Sequence, residues 1–367
     1  MQLDQLFPPT IDGIAYLEVT HKCNYDCKHC YVKAPQDREM SLENVEKILE
    51  ILKANRFRKI VVTGGEPLLH PNIKEIIKLI KEYGFKLVLI TNGTLVKKVN
   101  IDYKLIDAVY ISFDGPTEEE YQKLRGKEGL AKAEEAINYL SSLEIKVAVG
   151  VILSKYNVHK IRELILKIKS LPADTITVTV PQPFGRTLEN KDIMLSPEEY
   201  SECITLLSEA GDIHFESMIC YPVELRNDSE EIKNAPLLDK YLSGCAAGKK
   251  FIYISPEGFV TPCGYATADQ NFTKLTGNIL NMSMKEIYQT PLFSFHMNRS
   301  WESVTGKCTR CDYNIVCKGG CPLRSHYLKG NAQLPDPWCR NDPINKEYVK
   351  TNIQVKNFIK KEQIEAC

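Results

Sequence analysis

Little in this sequence pulls in one electrical direction. Its 47 acidic and 47 basic side chains cancel over 367 residues, so no net field recruits nucleic acid or an anionic membrane surface. Long apolar runs are missing too, none approaching the ~18 residues of a membrane-spanning helix. The N-terminus, Met1-Gln-Leu-Asp-Gln-Leu-Phe-Pro-Pro, lacks both the basic and the apolar region of a secretory signal. Internal repeats and low-complexity tracts are absent. These absences predict a cytoplasmic protein with no nucleic-acid and no membrane partner. With 43% hydrophobic and 26% charged residues, the chain can build two or three domains with buried cores, which excludes a disordered or fibrous protein.

What is present is cysteine, 13 in all and unevenly placed. Three fall between Cys23 and Cys30, none in the next 172 residues, and seven between Cys245 and Cys339. Without a secretory signal a disulfide framework loses its support. Metal ligation in two separate regions is the leading reading.

From Ile11 to about Val180, short β-branched runs alternate with longer helical patterns, the rhythm of repeated β-α units around a parallel sheet. Strands are expected at Ile14 to Val19, Lys59 to Thr63, Lys86 to Ile90, Ala108 to Phe113, Lys146 to Leu153 and Thr175 to Val180. Helices are expected after Ser41, after Pro71-Asn72 (Ile73 to Tyr83) and after Asn157 (Val158 to Ser170). Six units in sequence favour an open (β/α)6 barrel, although a doubly wound sheet has the same local pattern. The expected division is an α/β partial barrel over 11–185 and a bridging segment over 186–244 with a helix from Ser196 to about Ala210. A cysteine-rich domain over 245–345 and a C-terminal helix over 346–367 follow. The cysteine-rich part has few long periodic runs and is expected to be held by metal as much as by a core.

Cys23-Asn-Tyr-Asp-Cys27-Lys-His-Cys30 follows directly on the first expected strand, so three thiolates crowd a loop at the C-terminal end of a barrel strand, where barrels carry out chemistry. Three thiolates can hold three irons of a 4Fe-4S cube and leave the fourth open. The residues alone also allow a zinc site completed by His21 or His29. This C-x3-C-x2-C pattern after the first strand resembles the radical S-adenosylmethionine (SAM) superfamily. Thr63-Gly64-Gly65-Glu66-Pro67 after the second strand is similar to that family's G-G-E-P turn, whose backbone and Glu receive the methionine amino group. Thr91-Asn92-Gly93 and Ser112-Phe113-Asp114-Gly115-Pro116, after the third and fourth strands, resemble family segments near the ribose and methionine parts of SAM. Both are also ordinary turn sequences. The resemblance implies cofactor contacts at Gly64, Gly65, Glu66, Asn92, Ser112 and Asp114. It places His29 at an aromatic position near adenine and a fifth-strand segment at Val149-Gly150-Val151-Ile152. It also implies reductive cleavage of SAM to a 5′-deoxyadenosyl radical that abstracts a substrate hydrogen atom.

Cys245-x12-Gly258-x4-Cys263, then Cys308-x2-Cys311-x5-Cys317-x3-Cys321, then Cys339, resembles the seven-cysteine SPASM pattern of anaerobic sulfatase maturases, pyrroloquinoline quinone and mycofactocin pathway enzymes and thioether-forming peptide maturases. Four of these cysteines alone would also suit a zinc ribbon. The resemblance implies two auxiliary 4Fe-4S clusters, an outer one on Cys308, Cys311, Cys317 and Cys339 and an inner one on Cys245, Cys263 and Cys321. The inner set is one ligand short, which points to an open iron, with Cys203, Cys220 and Cys367 as rival fourth ligands. Tyr253, Phe259, Tyr265, Tyr313 and Trp338 are expected to pack around clusters.

These features predict a radical SAM oxidoreductase that oxidatively modifies a peptide or protein. Only 22 residues precede Cys23, so a separate leader-binding partner is expected, with a ferredoxin- or flavodoxin-type electron donor, anaerobic chemistry and a monomeric state. The alternatives are a small-molecule enzyme, such as a haem-pathway tetrapyrrole decarboxylase or a cofactor-maturation enzyme, and, from a different class, a zinc-stabilised scaffold. No general base can be assigned among the many Asp and Glu residues.

Overall fold

The computed structural model describes residues 13–32, 37–196, 245–267, 270–300, 302–311, 314–337 and 339, with scattered positions between 199 and 215. Six strands follow in chain order: β1 (Gly13–Thr20), β2 (Phe57–Gly64), β3 (Lys86–Thr91), β4 (Ala108–Ser112), β5 (Lys146–Ile152) and β6 (Thr175–Thr179). Each pairs in parallel with the next. That order separates the two architectures the periodicity leaves open. A doubly wound sheet reverses its strand order at a switch point, so that helices cover both faces. Here the order runs without reversal, and right-handed crossovers then put every helix on one face. The wall is the partial β/α barrel expected from the sequence. It is extended by β7 (Ile213–Phe215) beside β6, and at the other edge by β8 (Phe251–Ile254), parallel to β1, and β9 (Val260–Thr261).

Two of the three expected helices start where the sequence predicts. The Ser41 side chain accepts from the Asn44 N–H to open α1 (Leu42–Ala54), and α2 (Ile73–Glu82) follows Asn72. Two helices that the sequence analysis did not anticipate, α3 (Glu118–Arg125) and α4 (Leu130–Ser142), fill the connection from β4 to β5. Asn157 leads into a 3-10 turn and then α5 (Ile161–Lys169). One apolar stripe repeats: Val45, Ile48, Leu49 and Leu52 on α1, Ile73, Ile76, Ile77 and Ile80 on α2, Ile161, Leu164, Ile165 and Ile168 on α5. This i, i+3, i+4, i+7 spacing lays one face of each helix on the sheet, and each such side chain contributes about 1.5–3 kcal/mol by leaving water.

The strands therefore carry two unlike rows. Ala15, Leu17, Ile60, Val62, Leu87 and Val109 are fully buried, in the row that the helices cover. The alternate row, including Tyr16, Val88, Ile90, Tyr110, Ser112 and Tyr253, is half-buried, because it lines the open inside of the barrel wall. Both rows are mostly apolar, which is why the strands read as continuous runs rather than as alternation.

The chain folds as two compact units, residues 1–203, 214–216 and 247–297 in the first, and 204–213, 217–246 and 298–367 in the second. In the second unit the longest described helix, Pro322–Lys329, has eight residues. Buried polar contacts organise it: Arg299 donates to the carbonyls of Lys318, Gly319 and Leu334, and Arg324, fully buried, pairs with buried Asp336. Within the expected helix at 196–210, Glu199, Cys203, Leu206 and Leu207 are helical. The expected C-terminal helix at 346–367 lies outside the described residues. Among the described residues no helix is long and apolar enough to cross a membrane.

Gly150 sits on the inner row of β5, where an added Cβ would fall 2.0 Å from the Tyr110 ring. Gly150→Ala should therefore overpack the wall and destabilise it by about 1–3 kcal/mol. Truncating the ring in the same chain, Tyr110→Ala, should recover part of that loss. Thermal melts of the two single variants and the double variant check this through the coupling energy.

Candidate active site

The cysteine loop after β1 is gripped from two sides. On one, the Lys28 N–H donates to the Leu124 carbonyl at 2.9 Å, the Tyr25 hydroxyl to the Glu128 carbonyl at 2.8 Å, and Lys127 Nζ to the Asn24 carbonyl at 2.8 Å. These partners come from the C-terminal end of α3 and the turn after it. On the other side, the Arg186 N–H donates to the Cys30 carbonyl at 2.9 Å, and the Arg186 side chain pairs with Asp26. Gly185, at φ +55°, leaves no space for a Cβ, which would lie 2.5 Å from Tyr31 Cα. The Pro181–Gly185 stretch, which in sequence only marks where the repeat breaks, thus packs against the loop.

Burial pushes the Cys23 thiol up, Cys27 up to about 11 against the pull of Arg125, and Cys30 up to about 12, with its neighbours Cys27 and Cys23 adding to the rise. A reactive or redox-exchanging cysteine needs the opposite shift. Three thiolates fit here together only if a cation compensates them, and the donor set suits an iron-sulfur cube. His21 and His29 face carboxylates: His21 Nε2 lies 3.5 Å from Glu18, and His29 Nε2 4.0 Å from Asp114. Burial brings the His29 ring down to about 4, further than Asp114 can raise it. Among the described residues no three His, Cys, Asp or Glu side chains converge on one ion-sized point. A tetrahedral zinc with bonds of about 2.3 Å needs such convergence, whereas a cube spreads its thiolates over separate irons.

The turn after β2 lies directly on the chain leading into this loop. The Gly65 N–H donates to the Thr20 carbonyl and the Glu66 N–H to the Lys22 carbonyl, both at 2.7 Å. A Cβ on Gly64 (φ +137°) would sit 2.1 Å from the Thr20 carbonyl oxygen, and one on Gly65 2.2 Å from that of Lys22. Glu66 is buried, and its carboxylate accepts from Thr91 Oγ1 at 2.7 Å, the Asn92 N–H at 2.9 Å and the Leu68 N–H at 3.1 Å. Burial still pushes its carboxyl above the usual range. Asn92 donates to Asn24 of the cysteine loop and accepts from Thr94. Ser112 stands half-buried on the inner row of β4. Asp114, fully buried, accepts from the Ile152 N–H and from Arg125 Nε, both at 2.7 Å. Gly64, Gly65, Glu66, Asn92, Ser112 and Asp114 thus gather along the C-terminal ends of β2, β3 and β4.

Two residues at the site were not singled out from the sequence. Arg125, 6% exposed, lies with one guanidinium nitrogen 3.8 Å from Cys27 Sγ, and nothing in its helical surroundings marks it out. Glu18 left a signal, a carboxylate inside an otherwise apolar strand. It is fully buried, with Thr267 Oγ1 at 3.2 Å, the Tyr31 hydroxyl at 3.4 Å and His21 at 3.5 Å. All three contacts are long for a carboxylate, so its acceptor capacity is only loosely used. Around it stand tyrosines: Tyr253 stacks on Tyr16 with centroids 4.3 Å apart, and Tyr265 meets Tyr31 edge-on at 5.5 Å.

In the second unit the cysteines sort into two electrostatic groups. Burial pushes Cys308 up to about 11, with Cys339 and Cys311 adding to it, and Cys317 up to about 12, with Cys339 and Cys308 adding to it. Cys321, also pushed up to about 11 by burial, is raised instead by Asp336 and Cys245. Cys263 follows β9 in the first unit, where its charge adds to the upward shifts of Tyr31 and Tyr253, both led by burial. Phe259 is half-buried in the same unit and Cys203 is buried. Cys220, Cys367, Tyr313 and Trp338 lie outside the described residues.

Residues 17–168 match the Radical SAM superfamily, and residues 245–312 match the SPASM iron-sulfur cluster-binding domain. The chain is a radical SAM protein with a SPASM domain. It is 28% identical to the AdoMet-dependent heme synthase of Nitratidesulfovibrio vulgaris over 91% of this chain and 94% of that protein. It is 26% identical to the PqqA peptide cyclase of Bradyrhizobium diazoefficiens over 91% of this chain and 87% of that one. The structure of Streptococcus suis SuiB bound to S-adenosylmethionine shares the fold, with a TM-score of 0.72 at 16% identity over 90% of this chain and 78% of that one. A radical SAM and SPASM chain binds SAM and iron-sulfur clusters, and its relatives are enzymes.

The contact between the glycine turn and the Thr20–Lys22 backbone gives a direct test. Gly65→Ala would force carbonyl oxygens of the loop's approach to move, so the variant should reconstitute with less iron than the parent. Gly13→Ala, whose Cβ would meet only the Phe57 ring at 3.1 Å, should leave iron content unchanged. Iron and sulfide analysis of both proteins reads the difference.

Proposed function

We propose that this chain is a maturase that oxidises a peptide or protein side chain, forming a thioether, a carbon-carbon bond or a related crosslink. In this reading Cys23, Cys27 and Cys30 hold the SAM-binding cluster, and Cys308, Cys311, Cys317 and Cys339 hold an outer auxiliary cluster. Cys245, Cys263 and Cys321 hold an inner cluster with an open iron. Gly64, Gly65, Glu66, Asn92, Ser112 and Asp114 form the SAM cradle. Bound cluster and SAM together supply a 5′-deoxyadenosyl radical by one-electron cleavage, the electron coming from a ferredoxin- or flavodoxin-type donor. The chain's own work is to orient the substrate hydrogen and to exclude water.

The observation that carries the peptide reading is the chemistry of the inner row. Glu18, loosely satisfied, stands among Tyr16, Tyr31, Tyr253 and Tyr265, while Arg125 and Arg186 are already committed to Asp114 and Asp26. A peptide brings amide and ammonium donors that suit a carboxylate, and side chains that stack on tyrosine. Similarity to a peptide cyclase points the same way. The second reading, a tetrapyrrole decarboxylase, is favoured by the match over nearly the whole length of a heme synthase. Its substrate would bring several carboxylates, each needing a cation or donors of its own.

Anaerobic reconstitution should give about 12 irons per chain, falling to about 8 when Cys23, Cys27 and Cys30 are all changed to Ala. Zinc in place of iron would leave a metal-stapled scaffold.

With dithionite and SAM, short peptides containing cysteine and aromatic residues should raise 5′-deoxyadenosine release and lose two hydrogens by mass spectrometry. Glu18→Gln should lower kcat/KM for such a peptide about ten- to hundredfold, the worth of a hydrogen bond to a charged group. Iron coproporphyrin should give neither response. If it loses carbon dioxide while the peptides stay unchanged, the second reading replaces the first.

A further inference from the structure

Arg125 is hard to account for as a structural residue. Burying a guanidinium costs several kcal/mol unless its partners are well placed, and here the partners are unusual. Nε donates to Asp114 Oδ2 at 2.7 Å, the guanidinium carbon lies 5.6 Å from the Tyr121 ring centroid, and a terminal nitrogen approaches Cys27 Sγ at 3.8 Å. The first two contacts are enough to hold an ion pair. The third is not needed for that, and it aims the positive end of the pair at a thiol of the cysteine loop.

The backbone fixes this aim. Arg125 is the last residue of α3, and Gly126 beyond it, at φ +82°, turns the chain so closely over the cysteine loop that a Cβ there would lie 3.1 Å from the Asp26 carbonyl oxygen. Leu124, one residue earlier, accepts from the Lys28 N–H. Asp114 is held independently, its second oxygen accepting from the Ile152 N–H of β5. The buried pair is thus fixed at both ends, with Arg125 nearer the sulfur. His29 also faces Asp114, with Nε2 4.0 Å from its carboxylate.

We propose that Arg125 is a positioning residue that sets the reduction potential of the cluster on Cys23, Cys27 and Cys30, with Asp114 limiting its effect. The inference rests on the ligand set given under the proposed function. Reduction adds an electron to the cube, and a fixed positive charge with an N–H directed at a ligating sulfur stabilises the more negative state. Arg125 therefore makes the cluster easier to reduce, and Asp114 opposes it. Removing one member should move the potential in the opposite direction from removing the other. A brace that only held the fold would not produce that reversal.

The test is a redox titration of the reconstituted full-length protein followed by electron paramagnetic resonance, reading the signal that SAM perturbs. Arg125→Gln should move its midpoint to a more negative potential, Asp114→Asn to a less negative one, and Arg125→Lys should fall between Arg125→Gln and the parent. Iron analysis runs alongside. If Arg125→Gln loses about four irons, the Asp114→Asn midpoint decides alone. Midpoints equal to the parent's, or shifts of the same sign in both variants, overturn the proposal. Loss of the iron in the Cys23, Cys27, Cys30 triple variant with the SAM-sensitive signal intact would instead overturn the ligand assignment beneath it.

Discussion

Everything at this site depends on a contact that allows no side chain, the Gly64-Gly65 turn lying against the carbonyls of Thr20 and Lys22. Any Cβ there would meet backbone oxygen at little more than 2 Å, far inside van der Waals separation. Because that approach is allowed, the Glu66 carboxylate falls within reach of Thr91 and Asn92 on the next strand, and Asn92 within reach of Asn24 in the cysteine loop. One close backbone contact thereby ties β1, β2, β3 and the loop into a single rigid edge. Precision at that edge comes from hydrogen bonds held out of water, where each counts for more than it would on the surface.

The same edge shows how differently buried carboxylates can be used. Glu66 is satisfied by two backbone N–H groups and a hydroxyl at short range. Asp114 is satisfied by a guanidinium and an N–H. Glu18, just as buried, has only long contacts. A carboxylate held only by long contacts in a low-dielectric interior is costly, and a binding site is one setting in which a protein retains such a group.

Much of this was legible in the chain. The six strands, three of the helices and the cysteine loop follow from apolar runs, caps and spacing, and their boundaries shift by a residue or two, except that the helix expected from Val158 opens with a 3-10 turn and becomes α-helical only at Ile161. Helices α3 and α4 were missed because Glu118-Glu119-Glu120 and the Gly126–Gly129 stretch interrupt the apolar period between β4 and β5. The barrel was separated from a doubly wound sheet by strand order, which local periodicity does not encode. Arg125 was illegible for a similar reason: it lies 98 residues from Cys27, and only the folded chain brings a helix end to that sulfur. The clamp by Gly185 and Arg186 was hidden in what looked like the breakdown of a pattern. Glu18 could have been found, since a lone charge in an apolar strand is a departure from the strand's own rule.

The grip on the cysteine loop has a consequence for the order of folding. Its partners include residues at 65–66, 92–94, 124–128, 156 and 185–187, and the Asp26 to Arg186 pair spans 160 residues of chain. Such contacts are paid for in loop-closure entropy before they return any stability. The cysteine loop, although it follows the first strand of the wall, is therefore among the last segments to reach its final shape. Its thiols stay open until β6 is in place, so a rigid cradle for a metal cluster becomes available only when the barrel wall is nearly complete.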